Sequence, residues 1–239
     1  AVLDFFLAGG GAGLFLLGVF LDIKAAAAIG IIATGLGALA LLADLGRPER
    51  FWRAIAKPGT SWISRGALLV GIFLLFGIIH TALWYGGNPD TGLSAVARVI
   101  ATIAAVGVMA YTGFLLSFSP AIPAWHSTLL PVMFIVSSLI TGAGAIFMMT
   151  PALDVSTADL RTWEQLGLVL MVVALILVLA YIATMLSSTL AARQAIRTLL
   201  RGNLASTFLG GGLLVGMILP LALLTTAYLA DIGQPTVKT

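Results

Sequence analysis

The segment ADLGRPERFWRAIAKPGTSWISRG, residues 43–66, is the longest polar break in a chain that is otherwise almost entirely apolar. It carries five of the cationic residues and two tryptophans, Trp52 and Trp62. A plain connector between two membrane helices needs neither that much charge nor that much aromatic surface. The sequence therefore predicts that this segment is a functional surface of the protein.

The rest of the chain has the composition of a membrane protein. It is 60% hydrophobic and 9% charged, whereas soluble domains carry about 25% charged residues. Apolar runs of about 20 residues, the length that spans a bilayer core, recur along the chain. The prediction is an all-α, polytopic transmembrane helix bundle, with residues 1–239 forming a single integral membrane domain. The basic residues form no long tract, so nucleic acid is not an expected partner.

Seven spans are predicted from the apolar runs, and their connections alternate between two membrane faces. We call face A the one that holds residues 43–66, and face B the opposite one. Eight of the 12 basic residues lie on face A, which the positive-inside rule would place in the cytoplasm. The predicted spans are approximately residues 3–21, 25–43, 64–85, 95–116, 127–149, 163–190 and 204–230. The connection Arg193–Asn203, between the last two spans, is predicted to be a loop on face A.

Residues 44–63 are predicted to be an interfacial loop with a short helix from Pro48 to Lys57, lying in the headgroup plane. Its polar side carries cations and its ends are set by prolines. The sequence leaves two interpretations open for this surface, binding of anionic lipid or docking of a partner subunit. The residues that would dock a partner are Arg47, Arg50, Trp52, Arg53 and Lys57.

Ionisable side chains near a bilayer are costly and usually functional, and five candidates are expected on face A. They are Asp4, Asp44, Arg65, Tyr111 and His126. Each candidate also has a non-functional interpretation. Asp44 and Arg65 would form an ordinary ion pair at helix ends, Tyr111 would belong to the aromatic belt at the membrane interface, and His126 would lie in a solvent-exposed loop. Gly9 begins a G-x-x-x-G pattern that favours close helix packing.

Such a cluster at a lipid-accessible edge suits quinone chemistry. A carboxylate or histidine can exchange the protons of a quinol, while tyrosine or arginine holds its oxygen. The two histidines, His80 and His126, are predicted at opposite faces, so they cannot share a haem. No cysteine is present to hold a metal or an iron–sulfur cluster. With no haem and no metal expected in this chain, electrons would pass to a carrier in another subunit.

Several motifs resemble the polysulfide-reductase membrane-subunit family, the NrfD/PsrC-like proteins. The similar stretches follow the family's order and cover about residues 1–142, with a looser match at GMILPLALL, residues 216–224. The stretches are DFFLAGGGAG, LLADLGRPERFW, SWISRGA, AYTGFLL and WHSTLLPVMFIVSSLITG.

The resemblance implies a quinone-binding membrane anchor of a respiratory oxidoreductase complex in a prokaryotic cytoplasmic (inner) membrane. Its substrate would be menaquinone or ubiquinone, and its partners a ferredoxin-like iron–sulfur subunit and a molybdopterin-type catalytic subunit. The family's quinone site corresponds here to Asp4, Asp44 and Tyr111, which would exchange protons. Gly9, Arg65 and His126 complete the predicted quinone-binding set.

Two features depart from the family. Its members commonly have eight spans in two four-helix bundles, and many carry tyrosine where Asp4 stands. Many family complexes also keep their hydrophilic subunits outside the cytoplasm, so the side that face A occupies stays open. The alternative function is a secondary transporter or channel, with helices kinked at Pro131 and Pro220.

Overall fold

A computed structural model describes residues 2–43, 59, 61–118, 122, 125–152 and 157–232 of the protein. The ordered elements in these residues are all helical. Seven of the helical segments are long and apolar enough to cross a membrane, which confirms the predicted all-α fold and the seven predicted spans. The helices are α1 (Val2–Phe20), α2 (Lys24–Ala43), α3 (Trp62–Tyr85), α4 (Gly92–Ser117), α5 (Leu130–Met149), α6 (Thr157–Ser187), α7 (Leu190–Arg201), a π-helix (Ser206–Ile218) and α8 (Leu219–Ile232).

The protein divides into two compact units, which we describe separately. The first unit is Ala1–Ser119 with Thr128–Met149, and the second is Pro120–Ser127 with Thr150–Thr239. The expectation of one integral membrane domain for residues 1–239 stays a prediction.

In the first unit, α1 is the central helix and small residues allow its neighbours to approach closely. A Cβ built on Gly11 would lie 2.6 Å from the Gly30 carbonyl oxygen of α2. On the other side of α1, a Cβ on Gly9 would lie 2.8 Å from Ser138 Oγ of α5. The G-x-x-x-G interpretation as a packing surface is therefore confirmed, with α5 as the partner helix of Gly9.

The core of the first unit lies where α1, α3 and α4 meet. Phe15 and Phe73 are fully buried and pack edge to face, with ring centroids 5.0 Å apart. Alanines and a valine of α4 close around them, so the middle of the unit is apolar. The buried ionisable side chains Asp4 and His80 lie outside this core, toward the ends of α1 and α3.

The second unit contains α6, α7, the π-helix and α8. Gln165 Nε2 of α6 donates a hydrogen bond to the Tyr228 hydroxyl of α8, at 3.0 Å. A small core forms where α7 folds against the last turns of α6, around Met185, Ala192 and Ile196.

Two expectations about the connections and kinks are wrong. The Arg193–Asn203 stretch, expected to be a loop, is largely the helix α7. Pro131 does not kink the middle of a span, because α5 begins at Leu130 and places Pro131 in the first turn. A missing backbone N–H is harmless at that position, since it has no partner within the helix.

Pro220, by contrast, lies inside the last span, where the π-helix changes without a break to the α-helix α8. Proline has no backbone N–H to donate. The helix therefore lacks one backbone hydrogen bond at Pro220, and the helix type changes at the same place. The predicted helix from Pro48 to Lys57, and with it all five predicted docking residues, lies outside the described residues.

Candidate functional site

Asp4 and Tyr111 come together at one end of the first unit. Asp4 lies in the first turn of α1 and is 2% exposed, and both its carboxylate oxygens are shielded from solvent. Tyr111 lies near the end of α4, is 6% exposed, and is within electrostatic range of the Asp4 carboxylate. This end of the unit therefore holds a buried acid within electrostatic range of a buried phenol, two groups that bind and exchange protons.

The helix α2 closes the Asp4 side of this end. A Cβ built on Gly37 would lie 2.8 Å from the Ala8 backbone nitrogen and 3.0 Å from the Asp4 carbonyl oxygen. One turn away, Thr34 Oγ1 donates a hydrogen bond to the Ala8 carbonyl oxygen at 3.3 Å. The first turns of α1 are thus held against α2 by residues too small to keep the backbones apart.

The helix α3 closes the Tyr111 side. A Cβ built on Gly66 would lie 2.5 Å from two ring carbons of Tyr111, so the phenol ring rests directly on the α3 backbone. Gly113, two residues further along α4, is similarly pressed against Pro131 of α5. The Tyr111 ring is therefore supported by Gly66 of α3, and the same part of α4 is packed against α5 at Gly113.

An aromatic stack ties α3 to α4 at the same end. The Trp62 ring lies nearly parallel to Phe114 and to Phe118, with centroids 5.0 and 5.3 Å away. The Arg65 guanidinium lies 4.5 Å from the Trp62 ring centroid, and its Nη2 donates to the Gly59 carbonyl oxygen at 2.9 Å. Arg65 is therefore held over Trp62 and beside Gly59, next in sequence to the glycine that supports Tyr111.

A groove lies between α1 and α5, and Phe5, the residue after Asp4, is one of its lining residues. Its volume is about 280 Å³, and aromatic rings and small hydroxyl side chains form its walls. The lining residues are Phe5, Phe6, Gly10, Phe134, Ser137, Ser138 and Thr141. An apolar groove of this kind suits a hydrocarbon chain better than a polar solute.

Of the three remaining predicted site residues, Gly9, His126 and Asp44, only Gly9 is described in the first unit. Gly9 contacts Ser138 on the α1–α5 surface, one residue before the groove-lining Gly10. His126 is exposed and belongs to the second unit, so it is described only there. Asp44 lies outside the described residues.

A second polar cluster, which the sequence suggested only as scattered residues, lies at the opposite end of the first unit. His80 of α3 is 3% exposed, and its Nδ1 is hydrogen-bonded to Ser94 Oγ of α4 at 2.9 Å. It lies under a cavity of about 340 Å³ whose rim carries Asp22, Lys24, Asp90 and Arg98. The signal that could have found it is the placement of these charges at the face B ends of consecutive helices.

The helical fold and the buried ionisable groups at the two ends of the first unit indicate the class of protein. It is a multi-pass membrane-helix protein whose described first unit buries a carboxylate and a tyrosine together at one end. The protein belongs to the polysulphide reductase NrfD family, whose family model matches residues 5–231. The family resemblance noted in the sequence is thereby confirmed over nearly the whole length.

Curated relatives agree with this assignment. The protein is 28% identical to the C component of polysulfide reductase from Wolinella succinogenes, over 84% of its own length and 70% of that relative. It is 29% identical to the C component of sulfite dehydrogenase from Allochromatium vinosum, over 56% of its length and 42% of the relative. It is 33% identical to the C component of tetrathionate reductase from Salmonella typhimurium, over 42% and 31% respectively. No solved structure gives a significant match.

Proposed function

We propose that this protein is the quinone-reactive membrane subunit of a respiratory oxidoreductase complex in a prokaryotic cytoplasmic membrane. The observation that carries the proposal is the burial of Asp4 and Tyr111 within electrostatic range of each other, together with a groove between α1 and α5 that Phe5 and Phe6 line. Membership of the NrfD family supports the same function, since its relatives are named as components of sulfur-compound oxidoreductases.

The headgroup of the quinone would lie between Asp4 and Tyr111. In the direction of quinol oxidation, the Asp4 carboxylate accepts the proton of one quinol hydroxyl. The Tyr111 hydroxyl donates a hydrogen bond to the other quinol oxygen and holds it as it becomes a carbonyl. In the direction of quinone reduction, a protonated Asp4 returns the proton. The isoprenoid tail lies along the groove that Phe5, Phe6 and Phe134 line.

Two electrons leave the quinol together with its two protons, of which Asp4 accepts one and Asp44, the other carboxylate of the predicted set, accepts the second. The protein contains no cysteine to hold an iron–sulfur cluster, so the electrons would pass to a ferredoxin-like iron–sulfur subunit. From there they would reach a catalytic subunit with a molybdopterin-type cofactor. The cationic segment of residues 43–66 is the surface we assign to the iron–sulfur partner, because in sequence it joins the end of α2 to the start of α3, where Gly66 contacts Tyr111.

The proposal is tested by binding a fluorescent quinol-site inhibitor to the purified complex. We expect Tyr111→Phe to weaken the inhibitor's affinity about threefold to tenfold, since one net hydrogen bond is worth about 0.5–1.5 kcal/mol. Tyr85, which is 56% exposed at the other end of α3, provides the matched control. Tyr85→Phe should leave the affinity unchanged.

A structural anchor without a quinone site makes the opposite prediction. Unaltered inhibitor affinity in both Tyr111→Phe and Asp4→Asn, in complexes that assemble normally, would remove the site from this end of the unit. The transporter alternative is not supported by Pro131, because that proline starts a helix instead of breaking one.

A further inference from the structure

The helix α7, residues Leu190–Arg201, has a cationic stripe that the quinone site does not use. Arg193, Arg197 and Arg201 follow one another at intervals of four residues, so they line one side of the helix about 6 Å apart. All three are exposed. They are also the only charged residues between Glu164 and Asp231, and no carboxylate in that stretch opposes them.

The other side of α7 is buried against the helix α6. Ala192 is 0% and Ile196 is 1% exposed, and they pack with Met185, Tyr181 and Ile182 of α6. The Thr189 hydroxyl caps the start by accepting from the Ala192 backbone N–H at 3.3 Å. The helix is therefore a fixed element with one anchored face and one exposed cationic face.

Its short connections place α7 at the edge of the membrane. The helix α6 ends at Ser187, two residues before α7 is capped, and the π-helix begins at Ser206, five residues after α7 ends. Both neighbours are long apolar spans. Since Tyr181 lies six residues before the end of α6, the buried face of α7 reaches about 9 Å along that span. Since an amphipathic helix that packs on the end of a membrane span lies in the headgroup region, we place α7 there.

We propose that the Arg193–Arg197–Arg201 stripe binds the phosphate groups of anionic phospholipids. A guanidinium holds phosphate through two parallel hydrogen bonds, and a stripe about 12 Å long offers several such positions to neighbouring headgroups. Leu190 and Leu204, at the two ends of the helix, are 82% and 53% exposed. Acyl chains beside the headgroups would cover these leucines, whereas an acidic protein surface would leave them unmatched.

The test is a titration of the full-length protein, purified in a non-ionic detergent, with phosphatidylglycerol, followed by native mass spectrometry. Detergent removes any effect of the substitutions on membrane orientation. We expect Arg197→Gln to weaken phosphatidylglycerol binding about fivefold, and Arg197→Gln with Arg201→Gln about 25-fold. Arg98→Gln, an exposed arginine at an end of α4, is the matched control and should leave the titration unchanged.

Three further arms identify the ligand. Phosphatidylcholine, which has no net charge, should bind equally to every variant. Glycerol 3-phosphate should not compete, because it lacks the acyl chains; competition at equal concentration would assign the stripe to free phosphate and overturn the lipid proposal. Arg197→Lys with Arg201→Lys keeps the charge and should restore most of the binding, which separates charge loss from misfolding.

Equal phosphatidylglycerol binding by the wild-type protein and the double glutamine variant would also overturn the proposal. If that variant then fails to retain the other subunits of its complex, the stripe belongs to an acidic protein surface instead. This result is independent of the quinone site, since no residue of α7 contributes to it.

Discussion

The two ends of the first unit are built from the same helices but differ in whether their ionisable groups have access to solvent. At one end Asp4 and Tyr111 are shielded, and α2 and α3 close over them through Gly37 and Gly66. At the other end His80 is buried under an open cavity of about 340 Å³ with a charged rim. The first arrangement suits a reactant that arrives from lipid, and the second suits exchange with water.

The middle of the unit keeps these two ends apart. Phe15 and Phe73, neither of them exposed, pack together at an intermediate position along α1 and α3. An apolar layer of this kind offers no hydrogen-bonding partner to a proton. We therefore expect substitutions at the Asp4 end to change quinol-dependent turnover, and substitutions at the His80 end to change stability alone.

The largest effect is expected from Asp4→Asn, because asparagine cannot accept a proton from quinol. Loss of a positioned proton acceptor typically costs at least about 100-fold in rate, so we expect that loss in quinol-dependent turnover of the assembled complex. Asp22→Asn is the matched control, since Asp22 is an exposed aspartate at the other end. Equal turnover in Asp4→Asn and the wild-type complex would refute a proton role for Asp4.

Next comes Gly66→Ala, which would press a methyl group into the Tyr111 ring, 2.5 Å away. Overpacking of this kind destabilises by about 1–3 kcal/mol, and the displaced phenol should also weaken inhibitor binding. Gly71 lies on the same helix with nothing within 4 Å of a built Cβ. Thermal unfolding in detergent should therefore show a loss for Gly66→Ala and none for Gly71→Ala, because alanine favours a helix more than glycine does and only Gly66 is in contact. Equal stability of the two variants would mean that the contact with Tyr111 does not decide the outcome.

Ser94→Ala should affect stability but not turnover. It removes the hydrogen-bond partner of His80 Nδ1, and a buried group left unpaired costs about 1–3 kcal/mol. Water in the neighbouring cavity should keep the loss near the lower limit. A fall in quinol-dependent turnover, with the unfolding temperature unchanged, would show that the two ends are coupled after all.

The smallest effect is expected from Lys24→Met. Lys24 Nζ donates to the Trp84 carbonyl oxygen at 3.3 Å and so places a cation at the carboxyl end of α3. Such a charge stabilises a helix end by about 0.3–1 kcal/mol, and methionine keeps most of the side-chain volume. Thermal unfolding should detect this small loss, and inhibitor affinity at the Asp4 end should not change.

Much of this arrangement was predictable from the sequence. The seven apolar runs gave the spans to within a few residues, because span length is set by bilayer thickness. The alternation of spans correctly brought Asp4 and Tyr111 to one end. The prediction of a loop at residues 193–203 is wrong, although the arginines there repeat every four residues, as helical arginines on one side do.

What the sequence alone determined is the membrane-spanning helical fold and the family, because both depend on composition and on motifs that are local in the chain. Only the tertiary structure decided which glycine supports which side chain. Gly66 supports Tyr111, whereas Gly71 of the same helix touches nothing. It also decided that His80 meets Ser94 under an open cavity, because contacts between distant residues depend on the rotation of each helix about its axis. In an almost uniformly apolar sequence, hydrophobic periodicity does not fix that rotation; close packing does.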